Sequence, residues 1–112
     1  MSILLDVKQM IGISEDANTF DNQLIPIINS VLNDLTELGI GPKEGYIITG
    51  NQETWDNLLG NDKRKEQVKL YVGLKTRLIF DTPTNSSMLK VVEEELQRLE
   101  WRIVSLDYQD KS

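Results

Sequence analysis

The groups able to do chemistry in this 112-residue chain are carboxylates, amines and guanidiniums, because histidine and cysteine are both absent. Their absence removes the side chain that usually moves protons near neutral pH, the most easily activated nucleophile and every thiolate metal ligand. Carboxylates alone can hold magnesium or act as an acid and base pair, but only where they converge in a cleft. The densest run, Glu93, Glu94 and Glu95, is consecutive, so on a helix it fans out over roughly 200° and cannot address one ion. Lys90 with Glu94, and Glu94 with Arg98, stand four residues apart, the spacing of pairs along a solvated helix face. Catalytic residues, cofactors and metal sites are therefore expected to be none.

Two other groups of residues point toward contact surfaces. Lys63, Arg64 and Lys65 are the one compact basic cluster, placed at the start of a predicted helix, where positive charge opposes the helix dipole. The cluster is either a solvated helix start capped by Asp62 or a contact for an acidic partner surface or DNA phosphates. Trp101, Val104 and Tyr108, spaced three and four apart, form an apolar stripe on one side of the last predicted helix. That helix carries a separate stripe, so it needs two neighbours. The second neighbour is either another segment of the same chain, such as Tyr46 to Thr49, or another subunit.

These groups must be positioned by helices. Ser2 can cap a first helix running to about Ile11, with Ile3, Val7, Met10 and Ile11 on one side and Gly12 as its stop. A second begins at Thr19 or Asp21 and carries Leu24, Ile27, Ile28, Val31, Leu32, Leu35 and Leu38 in one stripe, ending at Gly39 and Gly41-Pro42. Pro26 lies opposite that stripe, so either the helix starts nearer Asn22 or it bends with the freed carbonyl toward water. Residues 43–51 read as a loop or short extended segment without an evident strand partner. A brief helix spans about Thr54 to Leu59 and stops at Gly60. The fourth, from about Asp62 to Phe80, is apolar over roughly 200°, which predicts a central helix. Lys75 falls inside that arc and is read as a stem on apolar surface with its amine reaching water. The last helix, capped among Asn85, Ser86 and Ser87, continues to about Asp107 with the seam Val92, Leu96, Leu99, Ile103 and Leu106.

Composition bounds what such a chain does. Its length suits one domain, 1–112, with a frayed tail from about 108. The fold class expected is all-α, a bundle of four to five helices. Eighteen acidic against twelve basic residues leave a net charge of -6, which works against general affinity for nucleic acid. No apolar run approaches the roughly 20 residues of a membrane span, and no signal-peptide pattern opens the chain. The protein is expected to stay in the cell that makes it.

Several stretches, in order, resemble the head-tail connector family of tailed phages. They are Val7-Lys8 through Ile11-Gly12-Ile13, Thr19-Phe20-Asp21 leading to Leu24 and Ile27-Ile28-Asn29, Gly39-Ile40-Gly41-Pro42, and Trp55 with Leu58. Val68-Lys69 with Tyr71-Val72, Leu78-Ile79-Phe80-Asp81 up to Pro83, and Leu99-Glu100-Trp101-Arg102 complete the series. Thr82 stands where the family's Phe-Asp-Pro-Pro segment has its first proline. The resemblance implies a helical structural subunit of the virion without catalysis. Many copies would form a homo-oligomeric ring beneath the portal protein, extend the channel for passing double-stranded DNA, and give tail-side proteins a platform. It brings no catalytic residues, so the contact sites remain Trp101, Val104 and Tyr108 for a neighbouring subunit and Lys63, Arg64 and Lys65 for the portal or DNA. Two other readings fit the composition: a helical regulator that binds a partner protein, and an acidic DNA mimic. The mimic requires a one-sided carboxylate surface, whereas bases interleave with acids in the last two helices.

Overall fold

The computed structural model describes residues 2–111, with side chains described for residues 2–105. Five helices follow one another: α1 (Ile3–Met10), α2 (Asp21–Glu37), α3 (Trp55–Leu59), α4 (Lys65–Phe80) and α5 (Ser86–Lys111). Only an isolated bridge between Ser2 and Thr54 has β character among the described residues, so the protein is all-α.

Each start has a local cause. The Ser2 hydroxyl accepts the Leu5 amide at 3.3 Å and caps α1. Thr54 and Asn57 form a reciprocal capping box on α3, each side chain taking the other's amide at 3.1 Å. The Asn85 carboxamide accepts the Ser87 and Met88 amides at 2.8 and 3.2 Å ahead of α5. Chain reversal after α2 uses Gly39 and Gly41 at φ 84° and 79°, a region that disfavours any side chain. A Cβ on Gly41 would also approach Leu58 Cδ1 to 2.8 Å.

The helix α2 starts at Asp21 and includes Pro26. Pro26 and Asn22, whose carbonyl loses its partner, are both exposed, so water satisfies that oxygen. The helix α4 begins at Lys65, three residues later than the sequence suggests, because Asp62 is committed to its own turn. Its Oδ1 accepts the Arg64 backbone amide at 2.8 Å, and both carboxylate oxygens take the Arg64 guanidinium.

Segment 43–51 forms no strand, and its partner is a side chain. Asn29 of α2 offers Oδ1 to the Ile48 amide at 2.7 Å and donates Nδ2–H to the Ile48 carbonyl at 3.0 Å. That pair imitates a neighbouring strand and holds Ile48 in the core at 1% exposure. Thr49 gives its amide and hydroxyl to Glu53, while Ile3 donates its amide to the Glu53 carbonyl at 3.0 Å. One apolar cluster joins Val7 of α1, Ile28 and Leu32 of α2, Trp55 of α3, Tyr71 and Val72 of α4, and Leu99 and Ile103 of α5. The centre is α4, which packs against the other four helices. Leu70 and Ile79, inside its predicted apolar arc, are half exposed.

Candidate functional site

The 26-residue α5 presents the candidate contact surface. Leu96, Leu99 and Ile103 are buried toward the core, which fixes the helix's rotation and turns the opposite side outward. There Trp101 is 70% exposed and Val104 45% exposed. The third member of the stripe, Tyr108, has its side chain outside the described residues. Segment 46–49 does not cover the stripe, since its Ile48 is engaged by Asn29 of α2. Of the two neighbours open to the sequence, the intramolecular one does not form over Trp101 and Val104 among the described residues.

The rotation of α5 is locked by a polar chain that sequence reasoning missed. Lys75 Nζ donates to Asp34 Oδ2 of α2 at 2.6 Å and to the Tyr71 hydroxyl at 3.0 Å, and that hydroxyl donates to Glu100 Oε1 at 2.7 Å. Three helices are tied by two side chains of α4. The Lys75 amine, expected to reach water, ends in this network instead. A lysine inside an apolar arc, with an acid on each flanking helix, is the signal that could have exposed it.

Burial pushes the Tyr71 phenol up to about 12, Glu100 adding to the effect while Lys75 opposes it. Burial works against the Lys75 charge, yet the hydrogen bonds with Asp34 and Tyr71 outweigh it and raise this pKa as well. Both groups hold their protons more tightly when folded. Their contribution is complete below the unfolded values near 10 and disappears as pH rises through the folded ones. Alkaline unfolding is thus expected to steepen between about pH 10 and 12, and Tyr71→Phe should flatten that portion of the stability curve. Ultraviolet titration should show one of the three tyrosines ionising last, near 12, with that step absent from Tyr71→Phe. Equal ionisation of all three near 10 would contradict the buried placement.

The basic cluster is divided by the fold. Lys63 is exposed and Arg64 is 7% exposed. Arg64 forks onto Asp62 with Nε–Oδ1 at 2.9 Å and Nη2–Oδ2 at 2.7 Å, holding that carboxyl below its usual range against the opposing effect of burial. Lys65 pairs with Asp56 and donates to the Gly60 carbonyl at 3.2 Å. The three side chains adjoin in sequence without sharing one open surface.

On α5, Arg98 pairs with Glu95 at 2.7 Å, where the four-residue spacing had suggested Glu94. Glu93 and Glu94 are exposed. Among the described residues no group of three or more His, Cys, Asp or Glu side chains is placed to hold a metal ion. Nor is any described helix long and apolar enough to cross a membrane.

Neither the curated proteins nor the solved structures contain a match to this chain. A family model described as "Phage connector protein" matches residues 3–110, a span that takes in all of α1 to α4 and nearly all of α5. This all-α chain, with a second apolar stripe of its longest helix turned outward and the family model matched over almost its whole length, belongs to the phage connector protein family.

Proposed function

We propose that this protein is a structural head-tail connector subunit, many copies of which form a ring beneath the portal, extend the DNA channel and provide the platform for tail attachment. It works in the virion by shape and surface, without catalysis or cofactor. The observation that carries this reading is the Trp101 and Val104 face of α5, which no segment among the described residues covers. Exposed aromatic surface beside a rigidly seated helix is what a subunit contact requires. The charge of -6 suits the channel wall, since an acidic lumen repels phosphates and lets duplex slide without sticking.

Trp101, Val104 and Tyr108 are assigned to the neighbouring subunit, and the Lys63, Arg64 and Lys65 turn to the portal or to DNA. In that turn Lys63 supplies the outward charge, while Arg64 and Lys65 brace it through Asp62 and Asp56. Trp101→Ala combined with Tyr108→Ala should abolish assembly. Because Trp101 is exposed, its loss should change the monomer's stability by no more than about 0.5 kcal/mol. Native mass spectrometry and thermal melting read the two effects separately. An intact assembly in this variant refutes the stripe as the contact, and Lys63→Glu that leaves portal attachment unchanged removes the basic turn from it.

A further inference from the structure

A cyclic ring of more than two copies is built from a head-to-tail contact, for which each subunit presents two different surfaces. Helix α5 carries exposed apolar groups at two places, Met88 and Val91 near its start and Trp101 and Val104 further on. Met88 and Trp101 are thirteen residues apart, hence about 20 Å along the axis and about 140° around it. One subunit therefore cannot bring its own Trp101 to its own Met88.

Met88 and Val92 line a concavity of about 280 Å³ between α4 and α5, together with Leu74, Leu78 and Pro83. An apolar cavity of about 150 Å³ admits a benzene ring, so this groove has room for an indole. Its charged members are Arg77 and Asp81, one of each sign and both exposed. The Trp101 side of α5 carries the matching signs: exposed Arg102 is adjacent, and exposed Glu94 lies two turns earlier at nearly the same angle. Arg98, between them, is held by Glu95.

We propose that Trp101 of one copy seats in the α4–α5 groove of the next, with Arg102 approaching Asp81 and Glu94 approaching Arg77 across the joint. This rests on the connector reading and names the receiving half of its subunit contact. Apolar burial supplies the affinity, and the two opposite-charge pairs fix the direction of docking. Because groove and stripe differ, the contact is head-to-tail, the kind that generates a ring when its rotation closes.

The chain has no cysteine, so single thiols report the joint without background. Thr84→Cys places one beside Pro83 at the groove, and Gln97→Cys places one a turn from Trp101, both at exposed polar positions. Full-length single variants, mixed under mild oxidation with portal present, are expected to give the mixed Thr84→Cys and Gln97→Cys crosslink as the dominant product. A chain carrying both thiols should give a ladder of covalent oligomers. Adding Trp101→Ala to the Gln97→Cys chain should abolish the mixed crosslink. Predominant like-with-like crosslinks would mean a two-fold contact and overturn the proposal, as would a mixed crosslink indifferent to Trp101→Ala. Rings without the mixed crosslink overturn this pairing alone, leaving a tail-side protein to cover the stripe. No oligomer under any condition overturns the connector reading beneath it as well.

Discussion

Trp55→Ala is expected to remove about 3–5 kcal/mol of folding stability, the range for deleting a large aromatic from a packed core. Trp55 opens α3 at 1% exposure, and its indole N–H donates to Asp6 Oδ2 of α1 at 2.8 Å across 49 residues of sequence. Such contacts tie the N-terminal helix to the middle of the chain, and they also include the Ile3 amide on the Glu53 carbonyl. Small domains hold only about 5–15 kcal/mol in total, so this substitution should leave the fold marginal. Trp55→Phe keeps most of the apolar volume and loses the hydrogen bond, about 1–2 kcal/mol when one partner is stranded. Urea midpoints should therefore fall in the order wild type, Trp55→Phe, Trp55→Ala. A Trp55→Ala midpoint close to wild type would contradict the burial of this ring.

The second large effect centres on Lys8, which is fully buried on the inner side of α1. Its Nζ lies 3.0 Å from Asp21 Oδ1 and donates to the Glu15 carbonyl at 3.2 Å. That carboxylate oxygen receives no aligned hydrogen bond, so the contact with Asp21 is mainly Coulombic. Asp21→Ala leaves a buried ammonium with one carbonyl. Its expected cost is about 3 kcal/mol, the lower end for breaking a buried pair, because the Asp21 side chain is 25% exposed. Lys8→Met retains the stem's volume but leaves the buried Asp21 Oδ1 without its cation, so alone it should also destabilise, though less than Asp21→Ala, because the carboxylate is 25% exposed and can turn toward water. Combining the two should recover most of the stability lost in Asp21→Ala, a non-additive cycle that chemical denaturation can measure. Additive effects would show that Lys8 and Asp21 do not stabilise the fold as a pair.

Lys8 also shows where the sequence stops being legible. Its neighbours Ile3, Leu4 and Val7 announce an apolar face by spacing. The depth of Lys8, however, depends on residues 12–20 returning over α1 with Glu15 and Asp21, a tertiary event that no helical period encodes. Asn29 was likewise unreadable, because a carboxamide on a helix gains its role only when Ile48 is brought beside it. The central position of α4 was legible from the width of its apolar arc. Leu70 and Ile79 show the limit of that signal, since width cannot say which part of an arc finds a neighbour. The two-sided character of α5 was visible in its two stripes, and the exposure of Trp101 resolves which stripe the core uses.

The basic turn illustrates the same boundary from the side of charge. Three consecutive cations read as one patch, but Arg64 is drawn inward by Asp62 two residues away, and Lys65 by Asp56 and Gly60. Local acids divide a cluster that composition alone would treat as a unit.

The central claim, that this connector-family chain works as a ring subunit, is tested most directly by native mass spectrometry of the full-length protein, alone and mixed with its portal protein. A closed, ring-sized multiple of the 12.8 kDa subunit in either sample is the predicted result. Monomer alone in both, at concentrations where the portal itself is intact, would contradict it.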